Sequence, residues 1–250
     1  DAVKFQVFKP DLYVHKDQIQ RLKLLKKFQL TYKQFLSLKK YSNHLKIKFF
    51  ASAFDLESLN FILKHTSIVK VASPDNNNFI FLDKILKLKK KCIISTGLLN
   101  YKQIELLVTN LKRKYSKRFL EKSLCLLHCV SSYPVKDNDM NLNFIKKMQK
   151  RYKLPIGFSD HSIGIEASIA AAALGAKVIE KHFTLDNNFS NFRDHKVSLN
   201  PVNFKRMVAS IRRVENLIGK DLKFSIKDEL SNESSLRRTF YASRKISKGE

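Results

Sequence analysis

Two short stretches of this chain end apolar runs in reactive side chains. One is Gly157-Phe158-Ser159-Asp160-His161-Ser162; the other is Glu180-Lys181-His182-Phe183-Thr184-Leu185-Asp186. Between them lies Ile163 to Gly175, rich in small residues that suit a helix packed closely on a sheet. Read as strand, helix and strand, this arrangement puts His161 and His182 at the ends of successive strands. In a parallel α/β fold those ends lie side by side on one face. A lone strand-end histidine reads as a hydrogen-bonded structural residue, whereas two imidazoles on neighbouring ends read as a pair of metal ligands. Such a pair suits Mn, Zn, Co or Fe better than Ca, and it leaves coordination positions open for water and a substrate carbonyl. That is the donor set of a Lewis-acid site.

Lysines and hydroxyls recur on other apolar runs. Val3 and Phe5 alternate with Lys4 and Gln6, and Lys70 stands between Val69 and Val71. With a strand period of two, the apolar residues facing a helix layer leave Lys4, Gln6 and Lys70 facing inward. A buried lysine needs a partner, because an unpaired buried charge is costly. Either an anionic ligand or a neighbouring carboxylate would supply one. Ser52, Ser73, Ser95 and Ser159 lie at the ends of other runs. Two lysines for point charge and four hydroxyls for hydrogen bonds make a pocket for phosphate and carboxylate.

The elements that would position these residues alternate with a period near thirty. Strands are expected at 2–7, 47–53, 68–72, 92–95, 123–130, 155–159 and 177–183. Helices are expected with Ile19, Leu22, Leu25 and Phe28 on one face, from an N-cap at Thr31, from a cap at Asp55, and over 79–90, 101–115 and 141–151. The last helix starts at Asn200-Pro201, carries Phe204, Met207, Val208, Ile211, Val214, Leu217 and Ile218, and stops at Gly219. Seven strand–helix units argue for a parallel sheet with helices outside it. No Gly-x-Gly-x-x-Gly follows the first strand, which argues against a dinucleotide-binding open sheet. The expected architecture is a (β/α)8 TIM barrel lacking its first strand, over residues 1–222, followed by a polar segment over 223–250.

The 250 residues carry a formal charge of +26, with 48 Lys and Arg against 22 Asp and Glu. The lysines recur through the helical segments other than Ile163 to Gly175, with the densest run at Lys87 to Lys91, and no aromatic-interleaved nucleic-acid motif accompanies them. The charge therefore reads as solvated helix faces whose field draws in anionic substrates, without specific nucleic-acid binding. No run reaches the ~20 apolar residues of a membrane span, and no secretory signal opens the chain. Cys92, Cys125 and Cys129 fit neither a disulfide framework nor a zinc motif and read as buried free thiols of a cytoplasmic protein.

The segments Gly157 to Gly164 and Leu174 to Asp186 together resemble the signature of the sialic acid synthases. That resemblance implies a TIM barrel condensing phosphoenolpyruvate with an N-acetylated mannose-type sugar. It assigns phosphoenolpyruvate contacts to Lys4, Ser52, Lys70, Ser73, Ser95 and Ser159, with Lys4 and Lys70 counted as catalytic. It assigns the sugar to Gln6, Tyr133 and Asp194, and a divalent cation, Mn2+ before Mg2+, Co2+ or Zn2+, to His161 and His182. Asp75 stands where the family usually has glutamate; it reads either as a catalytic acid or base or as a solvated turn residue beside Asn76, Asn77 and Asn78. Ser131 stands where some relatives have asparagine. The resemblance also implies a homodimer, an upstream strand ending in a glutamate, and a C-terminal antifreeze-like domain whose opening phrase Arg237 to Glu250 matches. On that reading the sequence is a fragment of a longer chain.

Overall fold

The computed structural model describes residues 1–190, 192–223 and 226–250. Its seven strands are β1 (Ala2–Val7), β2 (Lys48–Ala53), β3 (Ile68–Val71), β4 (Lys91–Ser95), β5 (Leu124–Cys129), β6 (Ile156–Asp160) and β7 (Ile179–Lys181). They form one parallel sheet in the order β1 to β7. A doubly wound sheet reverses its strand order at a switch point; this order never reverses, so the winding is that of a barrel. No ladder joins β7 to β1 among the described residues. Lys4 of β1 nevertheless bonds Glu180 of β7, so the sheet curls until its first and last strands face each other across the interior.

The helices are α1 (Pro10–Tyr13), α2 (Ile19–Phe28), α3 (Tyr32–His44), α4 (Leu56–His65), α5 (Phe79–Lys87), α6 (Tyr101–Lys114), α7 (Lys117–Ser123), α8 (Phe144–Tyr152), α9 (Glu166–Ala173), α10 (Arg193–Val197) and α11 (Pro201–Ile218). Their starts are set by side chains that satisfy the free N–H groups of a first turn. Thr31 with Gln34 and Asn100 with Gln103 form reciprocal capping boxes, and Asp55 accepts from the Ser58 N–H. The core lies between sheet and helices. Val7, Ala51, Val69, Ile94, Leu126 and Phe158 fill the outer face of the sheet; beside them the Phe35 ring packs edge to face with Phe49 and Phe61, and Phe5 lies tilted on Phe49.

Helix α2 forms where its pattern was expected, and its face is only partly covered, with Ile19 59% and Phe28 50% exposed. Asp194 lies in α10, a helix too short to show a period in sequence. Two further helices, α12 (Lys227–Ser231) and α13 (Glu233–Leu236), belong to a separate compact unit of residues 218–250. Among the described residues no helix is long and apolar enough to cross a membrane.

Candidate active site

In-register neighbours of a parallel sheet point to the same side, so parity can be carried across the ladders. Gln6 pairs with Ser52, Ser52 with Lys70 and Lys70 with Ile93. Ser95 pairs with Leu127, Cys129 with Ser159 and Ser159 with Glu180. Lys4, Gln6, Ser52, Lys70, Ser95, Cys129, Ser159 and Glu180 therefore share the inner face. Gln6 is exposed at the C-terminal end of β1, while Ser52, Lys70, Ser95 and Ser159 are buried.

The open question of a partner for Lys4 has an answer in Glu180. Lys4 Nζ donates to Glu180 Oε1, and Lys70 Nζ lies 3.4 Å from Glu180 Oε2. Lys70, 3% exposed, also donates to Ser95 Oγ at 2.7 Å and to the Val71 carbonyl at 3.2 Å. Burial pushes the Lys70 ammonium below its ordinary value, and Glu180 opposes that. Burial would raise the Glu180 carboxyl, but Lys4 and Lys70 outweigh it and hold Glu180 far below the usual carboxylate range. Two ammonium groups share one carboxylate, which leaves a net positive charge at the centre of the barrel.

Ser52 Oγ, Asp75 Oδ2 and Ser131 Oγ are buried without a hydrogen-bond partner. Such atoms are rare in folded proteins and each costs about 1–3 kcal/mol. Here Ser52 Oγ faces the barrel interior, and Asp75 and Ser131 follow the C-terminal ends of β3 and β5, the end of a barrel where ligands bind. Asp75 sits in a 3-10 turn over Ser73–Asp75, where burial raises its carboxyl pKa against a hydrogen bond from Asn78. Ser73 Oγ donates to Cys129 Sγ at 3.7 Å.

His161 and His182 follow β6 and β7 directly, with ring centroids 5.4 Å apart. His161 Nδ1 donates to the Val130 carbonyl at 2.8 Å, so its lone pair is on Nε2. Burial works against a charge on His161, yet Cys129, whose Sγ lies 3.8 Å from Nδ1, turns the net shift upward. Burial lowers His182 to about 4 against the pull of Asp194, whose Oδ2 is 4.0 Å from Nδ1. The Tyr133 ring centroid lies 4.1 Å from that of His161 and 5.9 Å from that of His182. A free Nε2 on one ring and a neutral second ring fit a divalent cation held by two imidazoles. Among the described residues no group of three or more His, Cys, Asp and Glu side chains has the geometry to hold one.

Behind the imidazoles, on the outer face, Asp160 and Lys181 pair at 3.1 Å with both side chains fully buried. Asp160 also accepts from the Ser162 N–H and hydroxyl and from Ser168 Oγ of α9, at 2.6 to 2.7 Å. Lys181 Nζ donates to the Ser162 carbonyl at 2.6 Å. This network ties the ends of β6 and β7 to one helix.

Three residues at the site were given no role by sequence reasoning. Glu180 lies two residues before His182, so alternation alone points it inward. Cys129 was grouped with Cys92 and Cys125. Those two thiols are pushed up to about 12 by burial, whereas His161 reverses that effect for Cys129 and lowers it. Asn76 was read as part of a solvated turn, yet it is 2% exposed.

The family model described as NeuB family matches residues 1–223. The chain is 36% identical over 264 residues to the N,N'-diacetyllegionaminic acid synthase of Campylobacter jejuni, covering 100% of this chain and 78% of that protein. It is 34% identical over 224 residues to the N-acetylneuraminate-9-phosphate synthase of Homo sapiens, covering 88% of this chain and 60% of that one. Among solved structures it resembles the N-acetylneuraminic acid (sialic acid) synthetase of Leptospira borgpetersenii, crystallised with citrate. That match has a TM-score of 0.83 at 34% identity and covers 95% of this chain and 82% of that one.

Proposed function

Because the chain belongs to the NeuB family, whose named relatives are sugar-acid synthases, we propose that it condenses phosphoenolpyruvate with an N-acetylmannosamine-type sugar. The products are a nine-carbon 2-keto sugar acid and inorganic phosphate, which makes it a transferase. The observation that carries this reading is the Lys4–Glu180–Lys70 cluster, with its surplus positive charge, beside two adjacent imidazoles.

In this reading Lys4 and Lys70 hold the phosphate and carboxylate of phosphoenolpyruvate, and Ser52, Ser73, Ser95 and Ser159 donate hydrogen bonds to them. Gln6, Tyr133 and Asp194 orient the open-chain sugar. His161 and His182 would hold a divalent cation, Mn2+ first, which supplies Lewis-acid polarisation of the sugar's aldehyde oxygen. C3 of phosphoenolpyruvate forms the new bond to the aldehyde carbon, and the aldehyde oxygen takes up a proton to become a hydroxyl. Water then adds at C2 and gives up a proton, for which Asp75 is the acceptor. Cleavage of the C2–O bond releases phosphate and leaves the ketone. Preorganised lysine charge stabilises the developing negative charge in such a step.

The test is phosphate release by the full-length chain, with Mn2+ or a chelator, against N-acetylmannosamine, its 6-phosphate and diacetamido deoxy sugars. Metal-dependent release with one acceptor is expected. His161→Ala and His182→Ala are each expected to abolish it; full activity in both variants would sink the metal assignment. A homodimer belongs to the same reading, and sedimentation of the full-length chain checks it. No release with any acceptor, from folded and metal-loaded protein, would favour a basic barrel that binds anionic partners without turning them over.

A further inference from the structure

The turn that follows β3 works in two directions. Ser73 Oγ reaches Cys129 of the inner face, and Asp75 Oδ2 is one of the unpartnered buried atoms. The next residue, Asn76, points into the protein. Its Nδ2 donates to the Ser95 carbonyl at 3.2 Å and to the Gly97 carbonyl at 2.8 Å. An amide nitrogen carries two protons, and these two bonds use both.

Those carbonyls flank Thr96, where the chain leaves β4. Thr96 is itself pinned, since its N–H and its hydroxyl each donate to the Leu127 carbonyl at 2.9 Å. Ser95 is the residue whose hydroxyl accepts from Lys70 at 2.7 Å. Gly97 is the residue whose backbone lies against two hydroxyls of the mouth: a Cβ there would stand 2.3 Å from Ser131 Oγ and 2.6 Å from Ser73 Oγ. One buried amide therefore sets both the hydroxyl that directs Lys70 and the backbone wall between Ser73 and Ser131.

We propose that Asn76 is a positioning residue for the anion-binding part of the site. It acts through Ser95 and Gly97 and touches no substrate. The inference rests on the proposed function for the identity of the anion, phosphoenolpyruvate. Loss of the clamp frees the end of β4, so Ser95 Oγ no longer holds Lys70 and the affinity for the anion falls. The sugar side, built on Tyr133 and the strand ends at β6 and β7, is held by other bonds and is unchanged.

The test compares wild type, Asn76→Asp and Asn76→Ser as full chains. Asp keeps the size but turns two donors into acceptors facing two carbonyls; Ser keeps one donor and adds no charge, so it serves if the Asp variant does not fold. The primary readout is the Kd of phosphoenolpyruvate by calorimetry on folded protein, with KM for each substrate alongside. Kd is expected to weaken roughly threefold to tenfold in N76S and roughly tenfold to a hundredfold in N76D, while the acceptor KM stays within about twofold. A lower melting temperature with unchanged Kd in both variants would assign Asn76 a merely structural role and overturn the proposal. Wild-type protein that binds neither phosphoenolpyruvate nor inorganic phosphate would bring down the proposed function as well, whereas wild-type binding matched by N76S removes this inference alone.

Discussion

At the scale of single residues, the centre depends on one carboxylate serving two ammonium groups. Glu180 comes from β7, Lys4 from β1 and Lys70 from β3. Glu180→Gln would leave two lysines facing each other with no counter-charge. Removing one partner of a buried ion pair costs about 3–5 kcal/mol. For a chain of this size that lowers the melting temperature by roughly 6–20 °C. Adding Lys4→Met to Glu180→Gln removes a repelling charge, so the double variant is expected to melt above the single one; strictly additive losses in a thermal double-mutant cycle would refute the coupling. The pH dependence has a definite sign. A carboxyl whose folded pKa is depressed contributes stability that is complete above its unfolded value, here 4.5, and is lost as pH falls through the folded value. The Glu180 variant is therefore expected to show a shallower loss of stability on acidification below about pH 4.5 than wild type, read from melting curves across that range.

At the scale of elements, strands β6 and β7 with helix α9 form the unit that aims the imidazoles. The buried Asp160–Lys181 pair and its serine bonds stand directly behind His161 and His182. Ser168→Ala removes one bond to a charged group, about 1.5–3 kcal/mol, and is expected to lower the melting temperature with little change in KM. Lys181→Met strands a fully buried carboxylate and is expected to yield little folded protein, as expression and circular dichroism would report. The elements themselves were largely legible in the sequence, because their signals are local. Thr31, Asp55 and Pro201 mark helix starts, and the apolar runs mark all seven strands within a few residues. Helices α7 and α10 escaped because seven and five residues carry no usable period. At the site, the two histidines and the lysines were legible from strand-end position and alternation. The Lys4–Glu180 bond was not, because 176 residues separate the partners and only closure of the sheet brings them together. Asn76 was hidden for a different reason: asparagine in a turn is ordinarily solvated, and only the return of β4 beside it turns its amide into a clamp.

At the scale of the whole molecule, the charge is the feature that most exceeds what the site needs. The surplus is 48 basic against 22 acidic residues, while the inner face uses two lysines against one glutamate. Most of the field therefore comes from helix surfaces, where salt screens it over a Debye length of about 10 Å at 0.1 M. Lys70, buried inside the sheet, and Lys4, half-buried beside it, are screened less. These two contributions separate by ionic strength. A surface field that guides an anionic substrate raises its association rate, so kcat/KM for phosphoenolpyruvate is expected to fall severalfold between about 0.02 and 0.2 M salt. Over the same range kcat is expected to hold steady, because the charges that face the reacting atoms are internal. Nonspecific retention on nucleic acid at the low-salt end, lost by about 0.2 M, would have the same origin and carry no sequence preference. A kcat/KM that ignores salt would mean that the lysines on the helices serve solubility alone and that capture of the anion is local to Lys4 and Lys70.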